Sequence, residues 1–206
     1  MIIITKFEIG DETDQNIVKV IVHEYFRCTV AFESFVQYIP KNNTEFLNPD
    51  SKTNLLRYNA YSLFIQHLYE YFVGCVKRGY HNTRNIPGEK IDVLLNGEVE
   101  KNLRGWRIVI DSGTAPSWAK DRSYFEDQCP PEFGKNFRHI RNSLSHADFR
   151  RIEGGDRITL TDFFNKYHKY VMLLYRNGKE FWTIDDLNEI DLGDVTAFSR
   201  QTFQRS

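Results

Sequence analysis

Apolar residues recur at helical spacing along most of this chain, and the clearest case lies in residues 133–147. The apolar side chains of this segment follow one another at steps of four and three residues: Phe133, Phe137, Ile140, Leu144 and Ala147. This spacing places them on one face of a helix. The opposite face carries polar side chains: Lys135, Arg138, Asn142 and His146. The pattern predicts a helix with one buried face and one face open to solvent.

The same periodicity predicts further helices at residues 14–39, 53–78 and 89–103, and one that is capped by Thr161 or Asp162 and runs to about residue 176. Thr13 or Asp14 is the expected N-cap of the first helix.

Three other segments lack this pattern. Residues 107–110 form a short β-like run, and residues 151–160 predict a small hairpin that turns at Gly154-Gly155. Residues 111–130 read as a long loop, which we expect to order on a partner or to lie over a site. The predicted fold is all-α, a helical bundle with a small β-hairpin after helix 133–147. We expect a single domain over residues 1–206, with its core at about 14–176 and a C-terminal extension at 177–206.

Composition narrows the classes of function. The chain has 206 residues and a formal net charge of −1, which argues against a protein that coats duplex DNA but leaves room for a local basic cleft. The cysteines Cys28, Cys75 and Cys129 have no disulfide or zinc spacing, so we expect reduced thiols in a cytoplasmic protein. The sequence shows no signal peptide and no membrane-spanning run, so no membrane partner is expected. It also shows no metal or cofactor motif, and we predict neither.

The candidate chemistry lies at the end of helix 133–147, in Arg141, Asn142 and His146. A guanidinium, an amide and an imidazole on a solvent-facing surface can hold a phosphate and move a proton. A structural alternative stays open, in which Arg141 pairs with an acid such as Asp148 and His146 caps the helix.

The other polar residues are predicted to be structural or peripheral. His23 and His67 lie in helical patterns and are expected to be structural, whereas His81 and His168 are expected at the surface. Glu24 and Glu70 look like isolated carboxylates.

An Arg-Asn pair followed by a His at position 146, late on a helix of an all-α domain, resembles the ribonuclease-type branch of the HEPN superfamily. This branch includes plasmid-borne and defence-associated bacterial proteins of similar size. The resemblance covers about residues 14–176. It implies a homodimer that cleaves RNA without a metal, through attack of the ribose 2′-OH on the adjacent phosphorus. His146 would then be the general acid or base, Arg141 would stabilise phosphoryl charge, and Asn142 would orient His146 or the phosphate.

On the same resemblance, Lys135, Arg138 and His139 extend a basic track for RNA, although each of them also fits a solvated helix face. A protein antitoxin is a further possible partner. In toxins controlled by a nucleotidyltransferase, a Tyr two positions after the motif His can be modified with AMP; this chain has Asp148 there, which places that form of control in doubt.

Two functional hypotheses result. The first is a metal-independent HEPN endoribonuclease, acting as a toxin or defence effector. The alternative is a non-catalytic HEPN-like module that binds a partner protein or a nucleotide. A weaker third interpretation is a helical structural protein unrelated to HEPN.

Overall fold

The computed structural model describes residues 6–39, 50–119, 121–145, 158–179, 192–193 and 195. The described part is helical, and its β structure is an isolated bridge between Lys6 and Asn82. The α-helices are α1 (Glu12–Gln37), α2 (Ser51–Gly79), α3 (Gly88–Asp111), α4 (Phe133–Ser145) and α5 (Leu160–Lys179). Short 3-10 helices lie between α3 and α4, at Ser117–Ala119 and Arg122–Phe125. The all-α prediction is confirmed. Residues 151–157 of the predicted hairpin lie outside the described residues.

The chain divides into two compact units, one formed by Met1–Asn85 with Phe181–Ser206 and the other by Ile86–Glu180. The single domain over residues 1–206, with a core at about 14–176, stays a prediction.

The first unit is built on the antiparallel pair α1 and α2. The start of α1 meets the end of α2 where Arg78 Nε donates to Asp14 Oδ1 at 2.7 Å. The end of α1 meets the start of α2 where Arg57 Nε donates to the Tyr38 carbonyl at 2.8 Å. Buried aromatic side chains fill the seam between the two helices: Tyr25, Phe26, Phe35, Tyr61, Phe64, Tyr71 and Phe72.

The N-cap of α1 differs from the prediction. Asp11 caps the helix, because its carboxylate accepts the backbone N–H of Asp14 at 2.8 Å. Asp14 is 3% exposed, and its carboxylate binds Arg78 of α2 instead of acting as the N-cap. The hydrogen bond from the Arg78 guanidinium lowers the pKa of the Asp14 carboxyl, so this contact stays ionised near neutral pH.

The second unit holds α3, the 3-10 helices, α4 and α5. The β-like reading of residues 107–110 is wrong, because α3 continues through them to Asp111. Tertiary contacts explain the difference: Trp106 stacks on Phe125 with ring centroids 5.5 Å apart, and Arg107 Nη1 donates to the Phe125 carbonyl at 2.6 Å. These contacts outweigh the β propensity of Ile108-Val109-Ile110.

Within the predicted loop 111–130, the part Arg122–Phe125 packs on the same chain. Its 3-10 helix Arg122–Phe125 inserts Phe125, which is 2% exposed, against α3. Arg122 donates to Asp111 at 2.8 Å and to Glu126 at 2.6 Å. Contacts within the chain therefore position the part Arg122–Phe125, and that the loop also meets a partner or lies over a site stays a prediction.

The helix α4 packs between α3 and α5 through aromatic side chains. Phe133 and Phe137 of α4 meet Tyr167 and Phe163 of α5, each pair with ring centroids 5.7 Å apart. The cap of α5 is Thr159, whose hydroxyl accepts the Asp162 N–H at 3.0 Å, rather than Thr161 or Asp162.

We expect Gly134→Ala to destabilise the protein by at least about 1–3 kcal/mol, because of overpacking. A Cβ at Gly134 would lie 2.6 Å from Asp92 Cα and closer still to the Asp92 carbonyl, so α3 and α4 would have to move apart. The matched control is Gly97→Ala on α3, where nothing lies within 4 Å of the new methyl group. This control should gain about 0.5–1 kcal/mol from helix propensity. Urea unfolding of the three proteins measures both effects, and equal stabilities would contradict the close contact.

Candidate active site

The helix that carries the motif is fixed by its buried face. Phe133, Phe137 and Ile140 are at most 2% exposed and Leu144 is 8% exposed, so these residues of the predicted apolar stripe form the packed face of α4, whereas Ala147 lies outside the described residues. A helix anchored along its length in this way has a set rotation about its axis, and its polar residues take set directions.

A carboxylate of α3 holds the middle of α4. Arg138 Nε donates to Asp92 Oδ1 at 2.9 Å, and its Nη2 donates to Asp92 Oδ2 at 2.8 Å. Glu89 lies 3.5 Å from the same Nη2 atom. The Arg138 side chain is 21% exposed and that of Asp92 is 11% exposed. The bidentate geometry and the low exposure make this pair a structural contact between the two helices.

The first turn of α4 is held by Asn96, one turn along α3 from Asp92. The Asn96 amide nitrogen donates to the Pro131 carbonyl at 2.7 Å, and its oxygen accepts the Gly134 N–H at 2.8 Å. An N–H in the first turn of a helix has no partner within the helix, so Asn96 acts as a cap supplied from a neighbouring element.

The motif residues Arg141 and Asn142 lie together in the last described turns of α4. Both are half-buried, and Arg141 Nη1 donates to Asn142 Oδ1 at 3.0 Å. Two serine hydroxyls in the same turns bond to the helix backbone. Ser143 donates to the Ile140 carbonyl, and Ser145 donates to the Arg141 carbonyl. The structure thus brings a guanidinium and a carboxamide side by side on the face that is not fully buried.

Of the remaining predicted residues, some are described in the structure and others are not. Lys135 is exposed and His139 is half-buried on α4. His146 and Asp148 lie outside the described residues, so the convergence of His146 with Arg141 stays a prediction.

The sequence reading missed Asp92 and Asn96, although a signal for them exists. In α3 the buried residues Leu95, Val99 and Leu103 recur at helical spacing, and Asp92 continues this series one turn earlier. Asn96 lies one residue after Leu95, and its polar side chain interrupts the same helix pattern. A charged residue on an apolar stripe requires a partner, and the partner here is Arg138.

Two predictions about other polar residues are wrong. Glu24 is not isolated, because it contacts His67 Nδ1 at 2.8 Å and Arg27 Nη1 at 3.1 Å. His168 is half-buried and stacks on Phe164 with centroids 4.5 Å apart, and burial lowers its pKa to about 4. The structural reading of His67 agrees with its contact to Glu24.

Two of the three thiols, those of Cys28 and Cys129, are poor candidates for a nucleophile. Cys28 and Cys129 are buried, and burial raises the pKa of Cys28 well above its usual value and that of Cys129 to about 12. Within the described ranges no group of His, Cys, Asp and Glu side chains is arranged to hold a metal ion. None of the described helices combines the length and the apolar character needed to cross a membrane.

Comparison with protein-family models gives a match to the family described as HEPN pEK499 p136, over residues 11–190. The match covers α1 to α5 and includes the motif at residues 141–146. Searches of curated proteins and of solved structures returned no significant match.

We expect Arg138→Gln to lower the free energy of unfolding by about 2 kcal/mol, because it leaves the Asp92 carboxylate largely buried without its counter-charge. The double variant Asp92→Asn/Arg138→Gln should lose less than the sum of the single variants, since two neutral amides can bond to each other. Urea unfolding of the four proteins gives the coupling energy. Additive losses would show that the pair does not join α3 to α4.

Proposed function

The chain belongs to the HEPN pEK499 p136 family, and from this premise we propose that it is a metal-independent endoribonuclease that acts as a homodimer. The observation that carries the proposal is the pairing of Arg141 with Asn142 at 3.0 Å on a helix whose other face is locked into the core. Because the helix is fixed, the donors of Arg141 and Asn142 are held in place before the substrate binds. Stabilisation of the negative charge that develops in a transition state requires donors that are positioned in this way.

The reaction assigned to this site is cleavage by transesterification. The ribose 2′-oxygen attacks the adjacent phosphorus, its proton passes to a base, and the bond to the 5′-oxygen breaks as that oxygen receives a proton. The products are a 2′,3′-cyclic phosphate and a free 5′-OH. His146 exchanges the protons, since an imidazole titrates near neutral pH. Arg141 neutralises the charge that develops on the phosphoryl oxygens, and Asn142 orients the phosphate or His146.

Substrate binding is assigned to the exposed face of α4. Lys135 and His139 lie one turn apart on this helix, and Asn142 follows His139 by three residues, so the three share one side. RNA phosphates would follow this line toward the motif. Arg138 belongs to the same predicted track, but its bidentate contact with Asp92 makes its share in RNA binding smaller than that of Lys135.

The biological role proposed is that of a toxin or defence effector, held in check by a protein antitoxin. This part rests on the ribonuclease-type motif alone. Regulation by AMP transfer to a Tyr is not part of the proposal, because Asp148 occupies that position.

We expect His146→Ala to lose about 10²–10⁴-fold in RNA cleavage, because it removes the group that exchanges the protons. The measurement uses purified protein and mixed RNA in the presence of EDTA, with detection of 2′,3′-cyclic phosphate ends. His81→Asn is the matched control: it removes an exposed imidazole far along the chain from α4, and Asn tolerates the positive φ of 51° at that position.

Two outcomes of this assay contradict the nuclease proposal. If the wild-type protein and the variant are both inactive on all RNA tested, the chain fits the alternative of a non-catalytic HEPN module that binds a protein or a nucleotide. If both are equally active, His146 has no catalytic role.

We expect Arg141→Gln to lower kcat about 10²–10³-fold, because the guanidinium acts on charge that appears in the transition state. Arg141→Lys should recover part of the loss, since it restores the charge without the planar donor fork. Arg104→Gln, an exposed position on α3, is the matched control and should leave kcat unchanged. A rise in KM with unchanged kcat for Arg141→Gln would assign Arg141 to ground-state binding instead.

A further inference from the structure

A cavity of about 500 Å³ lies along the seam of α1 and α2 in the first unit. This volume falls within the range of roughly 300–1,000 Å³ that is usual for small-molecule sites. Most of its wall is apolar, and α1, α2 and residue 195 contribute these side chains: Phe26, Val30, Ala31, Leu56, Leu63 and Val195. Val30 is 56% exposed and Leu63 is 46% exposed, so part of this apolar surface contacts solvent. A ligand with a hydrocarbon body would remove it from water.

The cavity is elongated, and one of its ends is polar. On α2 the lining residues run from Leu56 to His67, which is about 16 Å along the helix axis. Because α1 is antiparallel to α2, His23 and Arg27 lie at the His67 end, and Tyr38 lies at the Leu56 end. This shape suits an unbranched hydrocarbon chain that carries one polar group at its end.

The charges at the polar end are already paired within the described part of the chain. Glu24 Oε2 accepts from His67 Nδ1 at 2.8 Å, and Glu24 Oε1 accepts from Arg27 Nη1 at 3.1 Å. Burial opposes ionisation of Glu24, but the hydrogen bond from His67 and the charge of Arg27 help to lower the pKa of this carboxyl overall. Burial also lowers the pKa of His23, so its ring is neutral near neutral pH. A charged ligand of either sign would therefore lose its hydration here without a counter-charge that is still available.

His67 offers a hydrogen-bond acceptor at this end. An ionised carboxylate can only accept, so the proton of the neutral His67 ring is on Nδ1, and Nε2 is an acceptor. Nε2 forms no hydrogen bond to any described residue, although His67 is only 9% exposed. Glu24 does not line the cavity, so His67 meets the cavity through the ring edge that is turned away from Glu24. A hydroxyl group in the cavity would give Nε2 a donor.

We propose that this cavity binds a neutral primary alcohol on an unbranched hydrocarbon chain. The hydroxyl donates to His67 Nε2, and the hydrocarbon lies along Val30 and Leu63. This site is separate from the motif on α4, and its test does not depend on the nuclease proposal.

Isothermal titration of the full chain with octan-1-ol at about pH 8, where an ordinary imidazole is neutral, tests the site. We expect saturable binding of one molecule per chain. The isomeric ether 1-methoxyheptane has no hydroxyl donor, and it should bind about threefold to tenfold more weakly because one neutral hydrogen bond is lost. Octanoate and octylammonium should bind at least about tenfold more weakly than octan-1-ol, since each brings an uncompensated charge into the cavity.

Variants of His67 test the contact between the hydroxyl and Nε2. His67→Asn keeps an amide donor for Glu24 but removes the Nε2 acceptor, so octan-1-ol and 1-methoxyheptane should then bind about equally well. His67→Gln has a longer side chain whose amide oxygen can accept, and it should recover part of the preference for the alcohol. The matched control is His81→Asn, the same substitution at an exposed position of the same unit that does not line the cavity. Thermal unfolding of each variant confirms that it is folded.

Leu63→Asp tests the location of the hydrocarbon chain. It should weaken octan-1-ol binding at least about tenfold, because it puts a carboxylate in the apolar wall. Leu63 is 46% exposed, so folding is little affected.

Several results oppose the proposal. Absence of octan-1-ol binding, equal affinities of the wild type for the alcohol and the ether, or tighter binding of either charged probe overturns it. An unchanged preference for the alcohol in His67→Asn shows that the hydroxyl does not contact Nε2. If octan-1-ol does not bind, but sedimentation velocity shows a dimer that Leu63→Asp dissociates, the seam is an interface between two copies rather than a ligand site.

Discussion

The close contact between α3 and α4 is the constraint on which the candidate active site depends. Gly134 brings the backbone of α4 against the backbone of Asp92, a distance that no residue with a Cβ allows. The same turn of α3 then supplies the Asp92 carboxylate to Arg138 and the Asn96 amide to the start of α4. Together these contacts fix both the position of α4 and its rotation, and so they fix the direction in which Arg141 and Asn142 point.

The helices could be predicted from the sequence wherever one face is buried and the other is solvated. In α4 the apolar side chains at steps of four and three residues are the packed ones, and the predicted start at Phe133 is correct. The prediction failed where a contact distant in sequence decides the local structure. The last turn of α3 contains three β-branched residues in a row, and it is helical because Trp106 and Arg107 contact Phe125. Periodicity carries no information about such a partner.

The candidate active site could be predicted only where its residues are neighbours in the sequence. Arg141 and Asn142 are adjacent in sequence, so their proximity follows from the helix alone. The pairing of Arg138 with Asp92 joins residues on different helices, and Arg138 therefore looked like one more solvated cation on the polar face. Glu24 looked isolated for the same reason, because its partner His67 lies on the next helix. A polar side chain on a helix can be classed from sequence as surface or buried, but its partner depends on the packing.

These polar contacts between helices follow one arrangement within each unit. In the first unit, acids of α1 bind bases of α2, as Asp14 binds Arg78 and Glu24 binds His67. In the second unit, Asp92 of α3 binds Arg138 of α4, and Glu132, just before α4, binds Lys166 of α5 at 2.7 Å. Desolvation offsets much of the attraction in the half-buried pairs, and solvent screening weakens the exposed pair of Glu132 and Lys166, so their net contribution to stability is small. Each of these contacts, however, forms in only one register of the two helices that it joins. An apolar seam alone would let one helix slide along the other. In this chain the pairs therefore select the register, and the aromatic side chains between the helices supply the stability.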